Sequence, residues 1–361
     1  VYNDIKILDI ADAWQERSDI PVIAVVDKSM HYLGIIQRNS LFSLLGKAFG
    51  REVFKRYTVA EVIENPAPVD FHSDLFAVAS YLRINNDTYA DNQYIPVCSQ
   101  DNMLQGIFSQ QDLANYLAKI TQDEIIMAAQ LQERLLSEQK QIENSDFLIK
   151  GWARAAKGVG GDIFFIEPLA GNNFFFALCD ISGKGISASI VVSMLYGFFK
   201  SYKNKHSLKK FLIELNDVIL HTFQMEKYLT GFFAIYNANE NKIIFADMGH
   251  SHSFFIRNNL VSPIKTVKMN YPIGIESEIE PALFSIQLQK DDSIILFSDG
   301  ILEQENGDHI EYGEERFKSL IANTNNDLLN IEKHVEYEID SYRGIMPQQD
   351  DMSLLQFYKK T

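Results

Sequence analysis

Four aspartates share one kind of position. Asp162 follows Gly160-Gly161 where an apolar run begins. Asp180 closes the run Phe174 to Cys179 and precedes Ile181-Ser182-Gly183-Lys184-Gly185. Asp299 ends the run Ile294 to Phe297 and precedes Gly300, and Asp350, with Asp351 beside it, precedes the run Met352 to Phe357. An aspartate at the polar end of a buried strand is held rigidly while its head reaches a cleft. Clustered carboxylates repel unless a cation neutralises them. Oxygen-only ligation with no nearby Cys or His set suits Mg²⁺ or Mn²⁺ rather than zinc. Any one strand-end aspartate is more simply a turn cap, and spacing alone leaves a metal centre and a set of caps both open.

The elements around these residues are β-rich from about residue 147 onward. Asp162 to Leu169 and Phe174 to Ile181 read as buried strands around the turn Ala170-Gly171-Asn172-Asn173. Phe232 to Asn237 and Ile243 to Met248 flank a second turn, Phe254-Phe255-Ile256 and Leu260-Val261 a third, and Ile294 to Phe297 is a further strand. Leu208, Phe211, Leu212, Leu215, Ile219 and Phe223 give one apolar helical face, and Ser187 to Tyr202 a more apolar helix. Strands in runs with helices in pairs argue for antiparallel sheets covered by helices. The Phe-rich strands read as core.

The first ~120 residues carry a weak repeat. Ile20-Pro21-Val22 returns as Ile95-Pro96-Val97, and Gly34-Ile35-Ile36 as Gly106-Ile107-Phe108, a strand–turn–strand–helix unit used twice about 72–75 residues apart. From Gln122 to Ile142 there is no Gly or Pro and helix formers dominate, which predicts a connecting helix ended by Asn144-Ser145-Asp146. Ile125, Ala128, Gln132, Leu135, Gln139 and Ile142 follow the seam of a short two-stranded coiled coil, so a homodimer is expected, with a plain amphipathic helix as the alternative.

The 361 residues fit two domains. A hydrophobic share of 46% and a charged share of 22% exclude wholesale disorder. No apolar run approaches the ~20 residues of a membrane helix, so no membrane partner is expected. Cys98 and Cys179, the only cysteines, lie in apolar runs and fit a reducing, cytoplasmic setting. With 33 basic against 48 acidic residues the net charge is −15, and no nucleic-acid partner is expected. Because the chain begins with Val1, an earlier segment is left open.

Two resemblances sharpen this reading. Gly106-Ile107-Phe108-Ser109-Gln110-Gln111-Asp112 resembles the motif of CBS (cystathionine-beta-synthase-type) modules, while the first copy departs from it with Gln37 and Ser40. The resemblance implies a CBS pair, with an adenine nucleotide as a possible ligand at Ser109 and Asp112 only. It also implies that the first module, lacking its opening strand, is incomplete.

Val159-Gly160-Gly161-Asp162, Asp180-Ile181-Ser182-Gly183-Lys184-Gly185, Gly249-His250, Ser298-Asp299-Gly300 and Asp350-Asp351-Met352, in that order, resemble the metal-dependent protein phosphatase (PPM) family, in its bacterial SpoIIE/RsbU branch. The resemblance implies two Mn²⁺ or Mg²⁺ ions, bridged by Asp180, with Asp162 and the Ile181 carbonyl on one and Asp299 and Asp350 on the other. Such a pair activates a water for in-line attack on a phosphoryl group. Asp350 is preferred to Asp351 because the family's ligand is the first of that pair. Ser182 stands where animal and plant relatives carry a histidine acid, and Phe164-Phe165-Ile166-Glu167 replaces the branch's Tyr-Tyr-Asp.

The remaining motifs have plainer readings. Gly183-Lys184-Gly185 lacks the remainder of a P-loop and reads as a tight turn. Arg154 and Lys157 are candidates for phosphate contact, with a solvated pair as the plainer reading, and His250 reads as a packed histidine. The expectation is an α+β chain: a CBS-like α/β pair over residues 1–120, a helical linker over 121–146, and a PPM-type antiparallel β-sandwich flanked by helices over 147–361. Its expected function is a phosphoserine/phosphothreonine protein phosphatase acting on a phosphorylated anti-sigma-factor antagonist. The alternative is a catalytically silent adenine-nucleotide sensor whose phosphatase-like domain docks a signalling partner.

Overall fold

The computed structural model describes residues 1–84, 94–137 and 140–361, which form two compact units, Val1–Asp123 and Glu124–Thr361. Among the described residues no helix is long and apolar enough to cross a membrane.

In the first unit, strands β1 (Val22–Val26) and β2 (Tyr32–Gln37) form a hairpin that enters the helix Arg38–Leu45. Strand β3 (Val69–Asp70) runs parallel to β4 (Tyr94–Cys98), which pairs antiparallel with β5 (Leu104–Ser109) and leads into the helix Gln110–Ser137. The two hairpins are one design. Val25 faces Gly34 and Val97 faces Gly106; the register shifts after Val25 in one and after Val97 in the other. Met30 and Asn102 take left-handed backbone at the same place in each turn. The turns also meet symmetrically: the Tyr32 N–H donates to the Asn102 carbonyl at 2.9 Å and the Leu104 N–H to the Met30 carbonyl at 3.3 Å. The offset is therefore a constant 72 residues. It corrects the sequence match of Ile20-Pro21-Val22 to Ile95-Pro96-Val97, which is out of step by three residues; the structural partner of Ile95 is Ile23.

The second unit holds two antiparallel sheets built from β6 (Gln141–Glu143), β7 (Phe147–Arg154), β8 (Ile163–Leu169), β9 (Asn173–Ile181), β10 (Leu229–Asn237), β11 (Lys242–Met248), β12 (Ser253–Arg257), β13 (Leu260–Pro263), β14 (Phe284–Gln287), β15 (Ser293–Phe297) and β16 (Met352–Lys359). One sheet has the order β14-β11-β10-β9-β8, the other β13-β12-β15-β16-β7-β6. Their facing side chains, among them Phe147, Phe176, Leu178, Phe232, Leu296 and Phe357, form the inner core.

The opposite faces are covered too. Phe175, Ala177 and Cys179 of β9 pack under the helices Ile186–Ser201 and Leu208–Phe223, while Ile295 and Phe297 of β15 pack under Glu314–Asn323 and Ile331–Arg343. Burial on both faces explains why these strands read as unbroken apolar runs instead of alternating ones.

The connecting helix corrects the expected linker. It begins at Gln110, as the continuation of the second repeat, and runs to Ser137. Gln141–Glu143 is strand β6, paired with β7, so Ile142 lies on a sheet edge and cannot belong to a helical seam. Gln139 lies outside the described residues. Gln132 is buried and bonded to Gly160, which removes it from any exposed seam.

Candidate metal centre

Strand register carries the aspartates to one end of the sandwich. Ile163 faces Cys179, so Asp162 stands one step beyond the β8–β9 pairing while Asp180 faces Thr230 of β10. On the other sheet Phe297 faces Leu354, so Ser298-Asp299 leaves β15 where Asp350-Asp351 enters β16. Asp299 opens the short helix Asp299–Leu302.

Close backbone packing requires the flanking glycines. A Cβ on Gly300 would collide with the Asp351 carbonyl oxygen, and one on Gly161 would stand 3.0 Å from the Ile181 carbonyl oxygen and 3.2 Å from that of Gly183.

Asp351 joins the sheets and is spent in doing so. Its Oδ1 accepts the Ala156 N–H at 2.8 Å and its Oδ2 the Gly161 N–H at 2.6 Å. Asp350 is engaged differently: Oδ1 accepts the Asp351 N–H at 2.8 Å, and Oδ2 meets the Lys184 ammonium at 2.5 Å. Ser298 and Ser353 lock the two chain segments, with the Ser353 N–H donating to Ser298 Oγ at 2.8 Å. From the connecting helix, Gln132 donates Nε2–H to the Gly160 carbonyl at 2.8 Å and accepts the Gly160 N–H on Oε1 at 3.0 Å.

The electrostatics are those of crowded acids. Burial pushes Asp162 up to about 7, with Asp351 and Asp299 adding to the effect and the hydroxyls of Ser353 and Ser298 opposing it. Burial first, then Asp162, Asp299, Asp350 and Asp351, push Asp180 up to about 8. Burial and the charges of Asp299 and Asp350 also raise nearby Glu303. Asp162 Oδ2 is buried with no hydrogen-bond partner. An orphaned carboxylate oxygen amid mutually repelling acids is a poor resting arrangement for protein alone and a good donor set for a hard divalent cation. Among the described residues, no three His, Cys, Asp or Glu side chains are already gathered closely enough to hold an ion. The donor chemistry fits Mg²⁺ or Mn²⁺, and Asp350 would exchange its lysine for the ion.

The structure thus brings Asp162, Asp180, Ile181, Asp299 and Asp350 to one end of the sandwich. Ser109 and Asp112 lie in the first unit, in a capping box at the start of the helix Gln110–Ser137: Asp112 Oδ2 accepts the Ser109 N–H at 2.9 Å and Ser109 Oγ accepts the Asp112 N–H at 3.0 Å. The repeat's first copy has Gln37 and Ser40 there, and its helix has no side-chain cap.

Arg154 is paired with Asp340 at 3.1 Å and Glu336 at 3.8 Å. Lys157 is exposed. His250 is packed, and burial pushes it down to about 3, so it is neutral. Ser182 Oγ accepts the Tyr228 N–H at 3.0 Å and pins the turn. Glu167 pairs with the buried Lys205 at 2.7 Å. Sequence reasoning missed the Asp351 clamp, the Lys184–Asp350 pair and the Gln132 grip; only Gln132, one of two glutamines on a mostly apolar helical stripe, carried a signal.

Residues 170–359 match the family model described as Stage II sporulation protein E (SpoIIE), a span that includes Asp180, Asp299 and Asp350 but begins after Asp162. The phosphoserine phosphatase RsbU of Bacillus subtilis is 29% identical over 188 residues, 51% of this chain and 55% of RsbU. Stage II sporulation protein E of the same organism is 29% identical over 157 residues, 42% of this chain and 19% of that protein. The chain therefore spans about half, or less, of the length of these curated relatives. Among solved structures, the SiaA-PP2C domain of Pseudomonas aeruginosa superposes with a TM-score of 0.56 at 16% identity, covering 67% of this chain and 98% of that one, which shows a common fold.

Proposed function

From the premise that this chain belongs to the Stage II sporulation protein E (SpoIIE) family, we propose that it is a metal-dependent phosphoserine/phosphothreonine protein phosphatase. One observation carries the reading: carboxylates from both sheets are delivered to one end of the sandwich, with a buried oxygen of Asp162 left unpartnered among them. Asp162, Asp180, Asp299 and Asp350, with the Ile181 carbonyl, would hold two Mn²⁺ or Mg²⁺ ions, which supply Lewis-acid activation of water and neutralise phosphoryl charge.

The chain's own residues do the positioning. Asp351 fixes the Gly160-Gly161-Asp162 segment against β16, and Gln132 fixes it from the helix. Ser182, whose Oγ accepts the Tyr228 N–H, is an alcohol and too weak an acid to protonate a leaving group. The substrate we infer is a phosphorylated anti-sigma-factor antagonist, RsbU being named a phosphoserine phosphatase. In the first unit, the twofold arrangement of β-hairpins supports a regulatory CBS-like pair. Dimerisation of the full chain belongs to the same reading, without the helical seam.

The test is phosphate release from a phosphoserine protein with Mn²⁺, for wild type and Asp180→Asn side by side. Loss of the Asp180 carboxylate, which would help hold the ions, should lower turnover at least ~10²-fold. The alternative is a silent sensor whose phosphatase-like domain docks a partner. It takes over if wild type releases no phosphate.

A further inference from the structure

The end of the sandwich that collects the aspartates is strongly acidic, and a phosphate monoester arriving there is itself a dianion. A cation on the protein would add to what the ions supply, because charge-assisted contacts to phosphoryl oxygens orient such a group. The two basic residues singled out from sequence are placed otherwise: Arg154 is paired with Asp340 and Glu336, and Lys157 is exposed in the segment upstream of Gly160.

Lys184 does meet them. Its ammonium lies 2.5 Å from Asp350 Oδ2 and 3.4 Å from the Gln349 carbonyl oxygen, yet the side chain is 47% exposed while that of Asp350 is 19% exposed. It therefore sits at the rim of the acid cluster, its ammonium on Asp350 and its side chain half exposed. Its half-exposed side chain, a flexible four-carbon stem, can swing without any backbone movement. Lys184 lies between Gly183 and Gly185, both at positive φ (87° and 75°), and nothing lies within 4 Å of where a Gly185 Cβ would be. The turn is held at Ser182, whose carbonyl accepts from Lys227 Nζ–H at 2.8 Å, and at Gly185, whose carbonyl accepts the Ala188 and Ser189 N–H groups at 3.1 Å.

An ion held by Asp350 and the Lys184 ammonium compete for one carboxylate oxygen. We propose that Lys184 is a substrate-contacting residue that leaves Asp350 when an ion takes that oxygen and then binds the phosphoryl oxygens of the incoming phosphomonoester. This rests on the phosphatase reading above and assigns its phosphate-recognition residue. The lysine, at the rim, gives the pocket a positive charge only once its carboxylate partner has been claimed, so phosphate recognition follows metal loading.

The experiment uses the full chain as wild type, Lys184→Met and Lys184→Arg, with p-nitrophenyl phosphate as substrate, inorganic phosphate as competing ligand, and calorimetric titration of Mn²⁺. In Lys184→Met, KM and the inhibition constant of phosphate should rise about tenfold, a loss of ~1.4 kcal/mol of phosphate binding. Lys184→Arg should stay within about threefold of wild type, since a guanidinium binds phosphate as well. Mn²⁺ affinity in Lys184→Met should be equal to wild type or tighter, Asp350 having lost its competitor. Unchanged KM and phosphate inhibition in Lys184→Met, or weakened Mn²⁺ binding, would overturn the assignment. If wild type shows no Mn²⁺-dependent turnover, the phosphatase reading falls instead. Titration of inorganic phosphate into the Mn²⁺-loaded proteins then decides for Lys184: equal affinity in wild type and Lys184→Met overturns it, and tenfold weaker binding in the variant sustains it.

Discussion

Gln132 and Gly160 are bonded twice, the side-chain amide of one taking both the N–H and the carbonyl of the other, as a neighbouring strand would. Gly160 stands two residues before Asp162, and Gln132 is buried at 8% exposure. The helix thereby grips the segment that presents a candidate metal ligand. Replacing Gln132 with Leu keeps the bulk but leaves two buried backbone groups unpaired, at a cost of about 1–3 kcal/mol each. Gln132→Leu should melt earlier than wild type and bind Mn²⁺ more weakly, because Asp162 is no longer held. Melting and calorimetry check this; a variant with both properties unchanged would show the grip to be incidental.

The crowding of acids has a pH signature. Asp162 and Asp180 are pushed above their ordinary range by burial and by neighbouring carboxylates, Asp351 and Asp299 for the first and Asp162, Asp299, Asp350 and Asp351 for the second. A carboxyl with a raised folded-state pKa binds more protons folded than unfolded, so stability falls as pH rises from the ordinary carboxylate value through the raised one. With folded values of about 7 and about 8, chelator-treated protein should lose stability as pH climbs from ~4 toward those values. Saturating Mn²⁺ should flatten or reverse that slope, since the ion replaces the protons. Denaturant midpoints measured across this window, with and without Mn²⁺, check the sign. A rising midpoint in chelator would contradict the crowding.

Much of this was legible because of two-sided burial. β9 and β15 are covered on both faces, so Phe174 to Cys179 and Ile294 to Phe297 are continuous apolar runs whose polar ends mark Asp180 and Asp299. The connecting helix was overrun for the opposite reason. Residues 140–143 have no strand-like pattern of their own, and Gln141–Glu143 becomes a strand only because β7 offers an edge to pair with. The repeat was visible, but its offset was drawn by the Ile-Pro-Val identity, whereas the register is set by the shifts after Val25 and Val97. The Asp351 clamp joins residues far apart in sequence, and nothing in local pattern reports such a pairing.

Asp112 provides a case in which fold and binding are separable. Its Oδ2 accepts from the Ser109 N–H at 2.9 Å and from the Ser109 hydroxyl at 2.7 Å, so a Ser-x-x-Asp pattern here has a capping reason to exist. Asp112→Ala should lower the melting point of the first unit whether or not a nucleotide binds, while Asp112→Asn keeps an acceptor and should stay near wild type. If AMP or ATP binds and the site is at Asp112, calorimetry should show affinity lost in both variants, because Asn cannot accept from two ribose hydroxyls as a carboxylate does. Affinity retained in Asp112→Asn would assign this residue to capping alone.

Asp350 and Asp351 are adjacent yet should fail in different ways when neutralised. Asp351 holds the Ala156 and Gly161 amides on its two oxygens. In Asp351→Asn one of those N–H groups would face an NH₂ donor, so a buried backbone donor is left unpaired and the Gly160-Gly161 segment is loosened. Hydrogen bonds to charged groups contribute about 1.5–3 kcal/mol each, so the variant should be clearly destabilised. Asp350 meets the half-exposed Lys184, a pair of the kind that contributes about 0–1 kcal/mol. Asp350→Asn should therefore fold and melt nearly as wild type does, but bind Mn²⁺ more weakly and turn over at least ~10²-fold more slowly. Melting curves and Mn²⁺ titrations on the two variants separate the roles. A stable Asp351→Asn that has lost its metal, beside an active Asp350→Asn, would exchange the assignments of the two residues.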